Sequence, residues 1–195
     1  MRSVLTMMIA AAGTVIGALA MPMAANAATV TVNGDTTGNA TWNRPYTTGG
    51  TLSGIGNDTP FEVIEFSVDT AGDYEFEITS ANFDSYIFLY NEAGFDPFNQ
   101  ALGLQALDDD GGPSLLSLIA SANGDNATLA ANLVYYIVVS GFNNADFGAF
   151  ALDISGNGNI ALGATEVPLP AALPLFLAGI AGLGAAGRRR KARTN

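Results

Sequence analysis

The carboxylates are the side chains of this sequence that could do chemistry in concert. The chain has no histidine and no cysteine, which excludes Ser–His and Cys–His nucleophiles, thiolate metal sites and disulfides. From Ala28 to Glu166 there is no lysine either, so Schiff-base and Ser–Lys mechanisms are excluded as well. A Walker-type phosphate cradle is absent, and zinc rarely accepts carboxylates alone. Paired carboxylates can hydrolyse glycosides or peptides, but the chain carries no Asp-Thr-Gly or Asp-Ser-Gly signature. The expectation is a protein that is not an enzyme.

The constellation left is Asp108-Asp109-Asp110-Gly111-Gly112. A hard cation such as calcium takes six to eight oxygen ligands from carboxylates, carbonyls and water. Neighbours in an extended chain alternate sides, so Asp108 and Asp110 can share one side while Asp84 approaches from "DSY". Those three aspartates form a candidate calcium site, although the spacing is not that of an EF-hand loop. The competing reading is a capped turn, with Asp carboxylates accepting backbone N–H bonds and the glycines supplying positive φ. No cofactor other than calcium is suggested. Trp42, Tyr46, Phe95, Phe98 and Phe142 fall in loop contexts and are candidates for stacking on sugars. Tyr74, Phe76, Phe88 and Phe150 read as core. Three N-glycosylation patterns begin at Asn39, Asn57 and Asn126, and are too short and common to carry weight.

The elements that would hold these residues have period two. In "DYEFEIT", Tyr74, Phe76 and Ile78 oppose Glu75 and Glu77, the pattern of a half-buried strand. "SYIFLYN" is apolar on both faces, as in a central strand covered twice. "LVYYIVVSG" and "FGAFALDIS" add two more strands. In "FEVIEFSV", Ile64, Phe66 and Val68 are in phase while Phe61 and Val63 are out of phase, which predicts a β-bulge near Val63. Turn signals separate the runs, among them Asn33-Gly34-Asp35, Asp110-Gly111-Gly112 and Asn123-Gly124-Asp125. About eight short strands without an amphipathic helix predict an all-β, antiparallel sandwich, with extra edge strands from Ala28 to Asp58.

The charge distribution sets the location. Of 7 basic residues, Arg2 stands at the start, Arg44 in the middle, and Arg188, Arg189, Arg190, Lys191 and Arg193 at the end. All 18 acidic residues lie between, a surface that repels nucleic acid and anionic lipid. Residues 1–27 have a positive start, an uncharged apolar stretch from Val4 to Ala20, and the small-x-small site Ala25-Asn26-Ala27. This is a secretory signal helix cut before Ala28. At the other end, the apolar run from Leu169 to Gly187 would span about 28 Å as a helix, enough for a hydrocarbon core. The basic cluster at 188–195 stops transfer on the cytoplasmic side. The domain is outside, the arginines inside.

Val167-Pro168-Leu169-Pro170-Ala171, the apolar run and the arginine cluster together resemble the PEP-CTERM sorting signal in its VPLPA-CTERM variant. Leu169 stands where the founding Pro-Glu-Pro pattern has its acidic residue. The resemblance implies a Gram-negative exporter, passage through the inner membrane by the secretion machinery, and recognition of 167–171 by an exosortase. It also implies residence at the cell envelope or in an exopolysaccharide matrix. The order "GDYEFEI", "NFDSYIFLYNEAG", "LDDDGG", "NLVYYIVVSGF" and "GAFALDI" resembles the bacterial pre-peptidase C-terminal (PPC) domain, which implies a jelly-roll-like sandwich. Some relatives of that family bind calcium or collagen. The expected organisation is signal peptide 1–27, sandwich 28–160, linker and motif 161–170, transmembrane helix 171–187 and basic tail 188–195. The expected role is structural or adhesive, the alternative a calcium- or carbohydrate-binding module.

Overall fold

The computed structural model describes residues 27–163. The signal helix with Ala25, the VPLPA residues, the apolar run and the basic cluster lie outside the described residues. Within them no helix is long and apolar enough to cross a membrane.

The strands are β1 (Ala27–Asp35), β2 (Thr41–Trp42), β3 (Thr59–Val68), β4 (Gly72–Ala81), β5 (Ser85–Tyr90), β6 (Leu104–Asp108), β7 (Leu118–Ala120), β8 (Thr128–Leu129), β9 (Val134–Gly141), β10 (Ala149–Asn157) and β11 (Ile160–Leu162). They form two sheets, ordered β1-β10-β4-β7 with β8 also on β4, and β11-β3-β9-β5-β6 with β2 also on β3. Every pairing is antiparallel. The chain is therefore all-β, as its periodicity predicts.

Alternation builds the main core. Tyr74, Phe76 and Ile78 of β4 and Phe150, Leu152 and Ile154 of β10 turn inward, with Phe76 opposite Ile154 and Ile78 opposite Leu152. The second sheet answers with Ile64, Phe66 and Val68 of β3, Ile87 and Leu89 of β5, and Ile137 and Val139 of β9. The Phe66 and Phe76 rings meet edge-on between the sheets, 5.4 Å apart, a favourable aromatic geometry.

A second apolar cluster lies on the far face of the second sheet. Tyr86, Phe88 and Tyr90 alternate with the core residues of β5, and Phe61, Val63 and Val138 join them. This explains why all six residues of β5 are buried. It also corrects the expected bulge at Val63: β3 runs in continuous register with β9 from Phe61 opposite Ser140 to Ser67 opposite Val134. Phe61 and Val63 are out of phase because they face a second core. Loop segments cover that face. Trp42 packs edge-on to Phe88 and Phe95 with centroids 4.9 and 5.3 Å away, and its Nε1 donates to Ser140 Oγ at 3.1 Å. The two covering segments are tied by Gln100 Nε2, which donates to the Asn43 carbonyl at 3.1 Å.

Two further expectations change. Asn33-Gly34-Asp35 is not a turn but the end of β1; a Cβ at Gly34 would overlap the Phe150 ring, so the glycine serves close approach. The turn follows, where Asp35 Oδ1 accepts the Thr37 N–H at 2.8 Å and Gly38 has φ 76°. At the other end β11 continues to Leu162, so residues 161 and 162, expected in a linker, are strand.

Trp42→Ala is expected to cost about 3–5 kcal/mol, the range for emptying a large buried aromatic site, whereas Phe98→Ala, at a ring 93% exposed, should stay within about 0.5 kcal/mol. Urea unfolding followed by circular dichroism checks both.

Candidate functional site

Three connections meet at one end of the sandwich: residues 82–84 between β4 and β5, 109–117 between β6 and β7, and 142–148 between β9 and β10. Together they line a cleft of about 630 Å³ with Asn82, Asp84, Ser114, Leu115, Asn143 and Asp146 among its walls.

Local chemistry fixes each wall. Gly141 ends β9, and a Cβ there would overlap the Asp146 carbonyl; the glycine lets the third connection fold over the strand. That connection closes on itself, since the Asn143 N–H donates to Asp146 Oδ2 at 2.8 Å. The second wall is held by a buried hydroxyl pair: Ser85 Oγ lies 2.9 Å from Ser117 Oγ and accepts the Ser117 N–H at 2.9 Å. Ser114 in this wall takes φ 62°, a conformation uncommon outside glycine.

Behind the cleft stands Arg44, the one cation among the described residues and 1% exposed. Its Nε and Nη2 donate to the Phe142 carbonyl at 3.1 and 2.6 Å, and its Nη1 to the Pro45 carbonyl at 3.4 Å. The guanidinium lies 4.3 Å from the Tyr86 ring centroid and 5.0 Å from that of Phe142, within cation–π range. The Phe142 N–H in turn donates to the Asp84 carbonyl at 3.0 Å. One arginine thus ties the covering layer to the cleft wall.

Two carboxylates near Arg44, Asp84 and Asp109, resist ionisation. Burial pushes Asp84 above the usual carboxylate range, Asp146, Asp110 and Asp109 add to the rise, and Arg44 opposes it. Asp109 is raised by burial and then by Asp110 and Asp108. Tyr86, buried and near Asp109, is pushed up to about 12. Asp84 Oδ1 is buried without a hydrogen-bond partner.

The three candidate calcium ligands have different fates. Asp84 lines the cleft. Asp108 caps a turn, its Oδ1 accepting the Gly111 and Leu118 N–H groups at 2.7 and 2.8 Å, and it is raised chiefly by burial. Asp110 is exposed. Among the described residues no three acidic side chains are grouped to hold a metal, which corrects the expected convergence of Asp84, Asp108 and Asp110; Asp108 Oδ1 is committed to two backbone N–H groups. Of the sugar-stacking candidates, Trp42, Phe95 and Phe142 belong to the second apolar cluster, leaving Tyr46 and Phe98 exposed at 53% and 93%. Asp146 and Asn143 had no sequence signal beyond a turn. Arg44 had one, as the lone cation of an acidic domain. Ala27 and Ala28, at the expected signal cleavage, open β1.

A second, smaller cleft of about 340 Å³ lies against β4, with Asp73, Glu75, Ser121 and Ser155 in its walls. Asp73 accepts the hydroxyls of Thr128 and Ser121, which lower its pKa. No family model, curated protein or solved structure matches the chain.

With its pKa raised, Asp84 takes up a proton in the folded state at higher pH than in the unfolded chain. Its stabilisation is complete below the ordinary carboxylate pKa and is lost as pH rises through the raised value. Asp84→Asn is therefore expected to be more stable than the wild type at pH 7, with the gap closing as pH falls below the carboxylate range. Urea midpoints across a pH series measure this; an equal or lower midpoint at pH 7 contradicts it.

Proposed function

We propose that this chain is an exported, non-enzymatic surface or matrix protein with a structural or adhesive role, carried to the cell envelope by its terminal segments and processed by an exosortase. One observation carries the reading: the residues between the two expected targeting segments fold as two antiparallel sheets, from β1 (Ala27–Asp35) to β11 (Ile160–Leu162). A folded all-β domain between a signal peptide and a sorting tail is what an exported mature product requires. The two-sheet architecture supports the jelly-roll-like, PPC-related fold that the sequence resembles.

In this reading the secretion machinery exports the domain, and the C-terminal helix holds it in the inner membrane with Arg188, Arg189, Arg190, Lys191 and Arg193 in the cytoplasm. The exosortase then acts at Val167 to Ala171. The partners that fit an acidic sandwich are matrix polymers such as exopolysaccharide, not nucleic acid. The lack of histidine, cysteine and, between the signals, lysine leaves no common nucleophile–base pair to drive turnover.

A second reading, a calcium- or carbohydrate-binding module, is favoured by the partnerless buried Oδ1 of Asp84 in the cleft with Asp146. Calcium titration of the full chain should then give a saturable heat that Asp84→Ala abolishes. For sugar, retention on matrix polysaccharide should fall when Tyr46 or Phe98 becomes alanine.

The first test is the intact mass of the protein from envelope and from medium. A species that starts at Ala28 and ends between Val167 and Ala171 is the expected outcome. A chain that still ends at Asn195 in both fractions makes the tail a permanent anchor and removes the exosortase.

A further inference from the structure

The first sheet has one long open edge. Among the described residues β1, 9 residues long, pairs only with β10, whereas the opposite edge is made of β7 and β8, of 3 and 2 residues. Open edges of sheets offer unpaired amides to other strands, and proteins usually blunt them with lysine, proline, bulges or a covering segment. β1 has none of the first three. From Ala27 to Gly34 it carries no charge and no proline, and its register with β10 is unbroken.

Its amides alternate between β10 and the open side. The Thr36 N–H points to the β10 side, donating to the Gly148 carbonyl at 3.0 Å. The Asp35 N–H points away and donates to Glu62 Oε2 at 3.0 Å. Strand amides alternate in direction, so Thr29, Thr31 and Asn33 present their N–H and C=O groups outward. All three are exposed, and Glu62 closes the row at Asp35.

This row is complementary to itself. If two copies of β1 meet antiparallel with Thr31 opposite its own mate, Thr29 falls opposite Asn33 and Val30 opposite Val32. Opposed residues in an antiparallel pair lie on the same face, and here each opposed pair already does: the valines point to the core side, and the threonines and Asn33 to solvent. The outward amides match as hydrogen-bonded pairs. Charge points the same way. The neighbouring strands put Asp153, Glu77 and Glu75 on the outer face, so two acidic domains repel over most of their surface, and the uncharged stretch of β1 is a seam along which they can approach.

We propose that β1 is a self-association edge: two copies of this chain pair through Thr29–Asn33 about a two-fold axis at Thr31, joining their first sheets into one. The partner is a second copy because the strand is its own complement in both amide direction and face. The pairing stands on the sandwich alone and does not depend on how the termini are sorted.

A chain without cysteine makes the test clean. Across the axis the Thr31 Cα atoms should be about 5.5 Å apart, within disulfide reach, whereas Asn33 and its mate are four residues out of register, about 13 Å. The full chain in detergent is oxidised with copper phenanthroline. Thr31→Cys should give a disulfide dimer as its main species and Asn33→Cys alone should remain monomeric. A mixture of Thr29→Cys and Asn33→Cys chains should form the heterodimer. Thr31→Pro removes an outward N–H without touching the β10 ladder, so it should lose the dimer in sedimentation while keeping its circular dichroism. A Thr31→Cys chain that stays monomeric, whether because the edge is covered by its own C-terminal segment or because it does not pair, overturns the proposal. Equal cross-linking at all three positions does so too.

Discussion

Tyr86, Phe88 and Tyr90 leave β5 on the side away from the main core, and water must be excluded from both faces of that strand. A sandwich of two sheets covers only one. The remainder of the chain is arranged around this requirement: segment 36–58 and segment 91–103 close over the second sheet as a third layer, with Trp42 and Phe95 as their apolar contribution. Burying an aromatic side chain on this face stabilises by roughly 1.5–3 kcal/mol, a contribution that offsets part of the entropy of ordering loops with little regular structure of their own. The long links that look like insertions in the strand pattern are therefore part of the core.

Arg44 makes that third layer specific. Burying a lone guanidinium is costly unless its donors and its charge are met. Here the donors go to the Phe142 and Pro45 carbonyls and the charge sits against two aromatic rings. The Phe142 peptide passes the link to Asp84 through its N–H. The covering layer, the β9–β10 connection and the acidic cleft are thus one hydrogen-bonded unit, and Asp84 within it feels both the burial and the single positive charge.

Much of this was legible in the sequence, and the limits have a common cause. Period two located β4 and β10, which alternate against one core, and dense apolar runs located β5 and β9. It misread Phe61 and Val63 because a strand apolar on both faces has no phase to detect, and a bulge was the simpler account. Asn33-Gly34 looked like a turn because composition cannot distinguish a glycine needed for φ from one needed for room beneath Phe150. At the cleft, the turn-capping role of Asp108 was one of the two readings of the Asp-Asp-Asp-Gly-Gly run, whereas Asp146 was invisible: its place beside Asp84 is set by a close approach at Gly141, between residues distant in the chain. Trp42, Phe95 and Phe142 failed as surface candidates for the same reason. A loop context says nothing of what the loop lies on.

The lone cation has one more effect, on how the domain meets proteases. Proteases that cut after lysine or arginine find, between Ala28 and Glu166, the single bond Arg44–Pro45. Its arginine lies in the core, and the residue that follows is one such enzymes tolerate poorly. The folded domain therefore offers trypsin-like digestion no accessible target, although it has neither disulfide nor histidine to reinforce it. Its resistance to such enzymes is written into which residues it omits.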